Sequence, residues 1–416
     1  MNLIDTLLAD AAQITALRRE IHAHPELCFQ EERTAELVAR SLTEWGIPIH
    51  RGLGKTSVVG IVKAGTSPRA IGLRADMDAL PMTEHNRFAH ASRHPGKMHA
   101  CGHDGHTAML LAAAKHLSKH RNFDGTVYLL FQPAEEGGGG AREMIKDGLF
   151  DRFPMDAVFG MHNWPGLKAG QFAVCDGPAM ASSNEFRITV KGRGSHAALP
   201  HLGIDPVPVA CQMVQAFQTI VTRNKRPADA AVISVTMIHT GEATNVVPDD
   251  AVIEGTVRTF TVPVLDMIEE RMRAIAQHTA AAFGATVEFQ FHRNYPPTIN
   301  HRHEAEFVRG VMRDTVGDEN TLEFEPTMGA EDFSYFLQAK PGAYFVIGNG
   351  DGSHRLAYDG QADDAAASAR APAADATHGL GPCTLHNPNY DFNDELIPLG
   401  GTLWVRLAEK WLQPQG

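Results

Sequence analysis

Two hydrophobic rhythms alternate through the first part of the chain. SVVGIVKAG (57–65), AIGLRAD (70–76), TVYLLFQP (126–133) and AVFGMHN (157–163) are short apolar runs closed by glycine, proline or polar residues, the pattern of buried strands. Between them HTAMLLAAAKHLSKH (106–120) carries apolar residues at helical spacing, and GAREMIKDG (140–148) reads as a short helix stopped by glycine. The opening MNLIDTLLADAAQITALRREIH (1–22) is a further amphipathic helix. Strands alternating with helices predict βαβ units, and hence a mostly parallel sheet covered on both faces.

Near residue 183 the texture changes. EFRITVKGRG (185–194) alternates as a half-exposed strand does, and DPVPVACQMVQAFQTIV (205–221) is one amphipathic helix. AAVISVTMI (230–238) and AVIEGTVRTF (251–260) read as strands, PVLDMIEERMRAIAQHTAAAF (263–283) as a long helix, and TVEFQFH (286–292) as a last strand. Roughly a hundred residues with this content form a compact α+β unit of their own. EAEFVRGVMRDTV (304–316) and PGAYFVIGNG (341–350) then return to the earlier rhythm. The predicted fold class is α/β: a mostly parallel-sheet catalytic domain over 1–182 and 299–416, with an inserted α+β domain at 183–298. QADDAAASARAPAADATHG (361–379) is biased to Ala and Asp and reads as a flexible loop without a catalytic role.

Length and charge narrow the partners. A chain of 416 residues is long enough for one large domain and a second. The net charge of −12 is spread along the chain with no basic patch, which excludes nucleic acid and anionic membranes as partners. An anionic substrate then needs a locally placed cation. No apolar run approaches the length needed to span a bilayer. The N-terminal helix carries Asp5 and Asp10 and no early positive charge, unlike a signal peptide. The five cysteines (Cys28, Cys101, Cys175, Cys211 and Cys383) are odd in number and widely spaced, as reduced thiols are. A cytoplasmic protein is expected.

In an open α/β sheet, ligands bind at the carboxyl ends of the strands. Asp76, Glu135, Glu136 and His162 all fall at such ends, and Cys101 and His103 of HACGHDGH (99–106) lie just before a helix that starts near the same edge. CTLHNPNYDFND (383–394) adds His386. Cys101, His103, Glu136, His162 and His386 are too many ligands for one catalytic zinc with an open position. If Cys101 bridges, each of two divalent ions has three protein bonds and an open position, at a spacing that suits hydrolysis. Thiolate with imidazole favours Zn²⁺, with Mn²⁺, Co²⁺ or Ni²⁺ as alternatives. Adjacent glutamates on extended backbone diverge, so Glu136 can bind metal while Glu135 acts as general base and later protonates the leaving amine. Asp76 is expected behind these ligands, orienting a ligand imidazole.

Other suggestive stretches have plainer readings. His22 and His24 of HAHPE end a helix and are expected to be structural, and His99 and His106 to support or pack. GGGG (137–140) reads as a turn, and GLGKTS (52–57) fails as a P-loop because Ile49 stands where the first glycine is required.

Nine ordered motifs carry a family resemblance: RREIHAHPELCFQE, GLRADMDALPMTE, MHACGHDGHTAMLL, FQPAEEGGGGAREMI, GMHNWPG, GRGSHAALPHLGIDP, ATNVVPDDAVIEGTVRTF, MGAEDFSYF and LHNPNYDFND. Together they resemble the N-acyl-amino-acid amidohydrolases, which include hippurate hydrolases and plant auxin-conjugate hydrolases, within the dinuclear aminoacylase and carboxypeptidase superfamily. The resemblance implies the same five metal ligands and Glu135 as general base. It implies that the inserted domain is a lid and dimerisation domain, and that the chain is a homodimer or homotetramer. His196 of GSHAALP would reach a substrate carbonyl, often across a dimer interface, and Asn245 and Arg258 would hold the substrate carboxylate. The implied substrate is a small N-acyl amino acid. Alternatives are a dipeptidase or an N-carbamoyl-amino-acid hydrolase on the same site, or a non-catalytic metal-binding relative, against which the presence of Glu135 argues. The segment between VIGNGDG and LHNP is longer than the family pattern.

Overall fold

Strand Ala70–Asp76 is buried at every residue, so both faces of its sheet are covered. The computed structural model, which describes residues 1–358 and 384–414, places this strand fourth of eight. In spatial order the strands are Ile49–Arg51, Val58–Ala64, Gly125–Gln132, Ala70–Asp76, Ala157–Pro165, Gly342–Gly350, Phe172–Val174 and Thr321–Glu323. The four from Gly125–Gln132 to Gly342–Gly350 run parallel to one another. The pairings toward Ile49–Arg51 are antiparallel, as is that between Gly342–Gly350 and Phe172–Val174. Parallel character is therefore concentrated at the centre. From Ala70–Asp76 the chain crosses to Gly125–Gln132 on one side and then to Ala157–Pro165 on the other. At such a switch of direction the strand ends part and leave a crevice.

Helix His103–Lys119 makes the first of these crossovers and is buried from His103 to Leu117. A helix buried on every face has neighbours all round. Its Met109, Leu110 and Leu117 share one core with Ile14 of helix Asp5–Ala23 and with Leu403 and Trp404 of helix Leu396–Trp411. Each such buried Leu or Met side chain contributes about 1.5–3 kcal/mol, so the helix start that carries the site stands on a rigid base.

Two compact units emerge: Met1–Ala179 with Ile299–Glu325 and Tyr335–Gly416, and Met180–Thr298 with Pro326–Ser334. Pro326–Ser334 thus belongs with the second unit, whereas the sequence assigned it to the first. The second unit is built on a four-stranded antiparallel sheet in the order Ala231–His239, Asp250–Thr259, Ser183–Lys191 and Thr286–Tyr295. Phe186, Ile188, Ile253 and Val257 pack with Met213 and Phe217 of helix Pro206–Thr219 and with Ile268 and Met272 of helix Val262–Ala282. Asp205 caps the first of these helices by accepting the Val207 N–H at 2.9 Å.

Residues 361–379 and Cys383, on which sequence expectations were placed, lie outside the described residues. Cys28, Cys101, Cys175 and Cys211 are free thiols. Among the described residues no helix is long and apolar enough to cross a membrane.

Candidate metal centre

Backbone geometry after strand Gly125–Gln132 decides where the two glutamates go. Ala134 takes the left-handed conformation, with φ 55°, which a residue bearing a Cβ adopts only when held there. Glu31 does the holding by accepting the Ala134 N–H at 2.9 Å. The next two amides are held by Asp78: its Oδ1 accepts from Glu135 at 3.0 Å and its Oδ2 from Glu136 at 2.9 Å. Gly140 closes the turn, where a Cβ would lie 1.7 Å from the Pro133 carbonyl oxygen. The run of glycines is thus a turn, as the sequence suggested.

Glu31 is buried and also accepts from the Phe29 N–H and the Thr56 hydroxyl. Burial, followed by the nearby Asp78, pushes its carboxyl up to about 7. An unfolded glutamate titrates near roughly 4.3. Between these values the folded chain keeps a proton that the unfolded chain has released. The contribution of Glu31 to stability is therefore full below about pH 4.3 and is lost as pH rises through its folded value. Glu31→Gln is expected to flatten that part of the pH dependence of the melting temperature between about pH 5 and 8. A variant whose melting temperature follows the parent's pH slope would rule Glu31 out as the titrating group.

The five expected ligands come together. The donor atoms of Cys101, His103 and His162 lie within 4.8 Å of one another, as do those of Cys101, Glu136 and His386. Cys101 alone belongs to both sets. Glu135 forms a further set with His103 and Glu136. Cys101 Sγ is 3.3 Å from His162 Nε2, and His386 Nε2 is 3.2 Å from Glu136 Oε1. His386 sits at φ 58° and donates its own N–H to the Ala100 carbonyl at 2.8 Å, which ties its loop to the segment HACGHDGH.

The donor chemistry fits metal ions. His162 donates Nδ1–H to the Asn163 carbonyl at 2.5 Å, and His103 Nδ1 is 3.3 Å from Asp78 Oδ1, so both rings turn Nε2 toward the cluster. His103 Nε2 is buried and has no hydrogen-bond partner among the described residues, and Glu136 Oε1 is buried facing His386 Nε2. Burial alone would lower the pKa of His103, but Asp76, Asp78 and Glu136 outweigh it and push it up to about 10. The imidazole is thus surrounded by acceptors for a positive charge. Burial, with Glu136 and Glu135 beside it, pushes the Cys101 thiol well up, so a thiolate at this position needs a cation next to it.

Asp76 departs from expectation. Its Oδ1 bonds to His106 Nδ1 at 2.6 Å and its Oδ2 accepts from Arg74 at 2.6 Å, while His103 Nε2 is 3.7 Å away. It bonds to His106 and not to an expected ligand; the carboxylate against the ring of His103, one of the expected ligands, is Asp78. The signal for Asp78 lay in ADMD, a second aspartate just past the end of the strand. His106 in turn accepts the Asn163 N–H at 2.8 Å. Asn163 reaches the Cys101 carbonyl with Nδ2 at 2.6 Å and accepts the Tyr390 hydroxyl at 2.8 Å. Neither Glu31 nor Asn163 was identified from sequence. His22 is structural, bonded to Asp104 and Glu84, and His99 is a buried packing residue.

The other three expected residues belong to the second unit. His196 is exposed on the short strand Ser195–His196, paired with Val246–Val247. Its Nδ1 accepts the Ala198 N–H at 3.0 Å, which leaves Nε2–H as a donor. The Ala197 N–H bonds to the Asn245 carbonyl at 3.0 Å, so His196 and Asn245 are neighbours. Arg258 lies on a different element, strand Asp250–Thr259, half-buried opposite Val232.

A sheet edge that gathers a thiol, three imidazoles and two glutamates defines a metallopeptidase-like hydrolase. The chain belongs to peptidase family M20/M25/M40, whose family model matches residues 72–357. The hippurate hydrolase of Campylobacter jejuni is 38% identical, covering 99% of this chain and all 100% of the relative. The N-acetyl-L-cysteine deacetylase of Bacillus subtilis is 41% identical, over 82% of this chain and 81% of its own. A crystal structure of a dinuclear metal binding peptidase from the M20 family of Bacillus subtilis matches with a TM-score of 0.80, at 32% identity, over 97% of this chain and 99% of that one.

Proposed function

We propose that this protein is a dinuclear metal-dependent amidohydrolase that cleaves N-acyl amino acids to a carboxylic acid and a free amino acid. The observation that carries this reading is Cys101 shared between two ligand triads, with Glu135 beside them. Cys101, His103 and His162 would hold one ion, and Cys101, Glu136 and His386 the other, with Zn²⁺ the best match to this donor set. Bound ions would supply a Lewis acid and lower the pKa of water. Glu135 takes the proton of the attacking water and passes it to the departing nitrogen. His196 Nε2–H donates to the substrate carbonyl oxygen, from its own chain or from a second subunit of a homodimer or homotetramer. Arg258, with Asn245, receives the substrate carboxylate and provides the cation that the chain's overall negative charge requires.

Hippurate hydrolase and N-acetyl-L-cysteine deacetylase among the relatives support small N-acyl amino acids as the substrate class. The 40% identical thermostable carboxypeptidase 1 of Saccharolobus solfataricus favours peptides as the second reading. A hydrolysis screen over N-acetyl, N-benzoyl and indoleacetyl amino acids and dipeptides, with Zn²⁺ or Mn²⁺ added, separates the two. Release from the N-acyl compounds that chelation abolishes is expected. On the best substrate Arg258→Ala should mainly raise KM and His196→Ala mainly lower kcat. Absence of metal-stimulated release from any N-acyl compound would reject the proposal.

A further inference from the structure

The motif RREIH contributes nothing to the chemistry described so far, yet its Arg18 is completely buried on helix Asp5–Ala23. An arginine is placed there only if several partners are fixed around it. Arg18 Nε lies 3.2 Å from Asp104 Oδ2 and 3.2 Å from Asp394 Oδ1. Nη2 donates to the Phe392 carbonyl at 2.7 Å and to the Asp391 carboxylate. Asp104 directly follows His103, and Asp391 and Phe392 belong to the loop that begins with His386. The same loop presses on the helix through Phe392, whose ring would lie 2.2 Å from a Cβ at Gly105.

The five ligand positions are not equally supported. Cys101, His103 and His162 are buried, whereas the side chain of His386 is 54% exposed. Core packing holds the first three. His386 goes where its loop is tied, and the charged tie between that loop and the helix of His103 is Arg18.

We propose that Arg18 is a positioning residue for the second ion: by clamping Asp391 and Phe392 to Asp104, it sets the distance of His386 from the Cys101–His103 arm. This rests on the dinuclear reading above. The planar guanidinium is required because it spans both sides of the junction, which a lysine ammonium cannot do.

The test uses the full-length apoprotein titrated with Co²⁺, read by visible absorption and equilibrium dialysis, with Arg18→Lys and Asp391→Asn as variants. Circular dichroism establishes that each is folded. The expected result is one ion bound as in the parent and the other weakened about 10- to 100-fold, as when an outer partner of a ligand is lost. Excess metal should restore turnover. Arg19→Met is the control: Arg19 pairs with Asp394 at 2.8 Å but not with Asp104 or Asp391, and both ions should bind normally. Folded variants that bind both ions with parental affinity, whatever their melting temperature, would make Arg18 a stabilising residue only and overturn the proposal. Equal weakening of both ions would also overturn it. A parent protein that takes up no second ion would instead reject the dinuclear reading itself, and this inference with it.

Discussion

Glu135→Gln is expected to keep the fold and the metal content of the parent while turnover on N-acyl amino acids falls by about 10²-fold or more. The substitution preserves shape and removes only the ability to accept a proton. Its backbone N–H bonds to Asp78 whatever side chain it carries, so the turn should persist. Glu136→Gln should behave differently, because Glu136 shares a triad with Cys101 and His386 and should lose metal as well as rate. Elemental analysis and kcat from one preparation of each variant separate base from ligand. Near-normal turnover in both would mean that neither carboxylate carries the chemistry assigned to it.

Gly102→Ala should damage both the fold and the metal centre. Gly102 has φ 87°, and an added Cβ would lie 2.3 Å from both Asn163 Nδ2 and the Tyr390 hydroxyl. Left-handed backbone and steric overlap together should cost about 2–5 kcal/mol. The damage should extend to the metals, since Asn163 braces the Cys101 carbonyl and Tyr390 braces Asn163. Gly96→Ala serves as reference, with φ 82° but nothing within 4 Å of the added atom. Denaturant unfolding should place Gly102→Ala well below Gly96→Ala, and metal analysis should separate them too. Equal midpoints would show that Asn163 and Tyr390 move aside freely, which would contradict a rigid brace.

The pattern of apolar residues announced most elements because burial leaves a one-dimensional trace: seven consecutive buried residues in Ala70–Asp76, and strict alternation in Ser183–Lys191. Pro326–Ser334 left no such trace, and its place in the second unit could not be read. The convergence of the candidate ligands was legible because thiol, imidazole and carboxylate close to successive strand ends are rare together. Their supports were not. Asp78, Glu31 and Asn163 act through main-chain amides and carbonyls, and the sequence does not record which backbone atom a carboxylate or amide will face. Asp76 was given the role of Asp78 for the same reason. Asp76 ends the strand and Asp78 lies just beyond it, and only the fold determines which meets His103 and which meets His106.

The two oxygens of Asp78 hold consecutive amides, and this fixes more than a turn. With those N–H groups bound, the peptide between Glu135 and Glu136 cannot rotate to exchange the directions of the two side chains. Glutamates that differ in nothing chemically become distinct tools, like left and right hands gripped at the wrist. Under the proposed mechanism neither can substitute for the other when one is lost, so the two activities of the pair can be altered one at a time, by selection or by design.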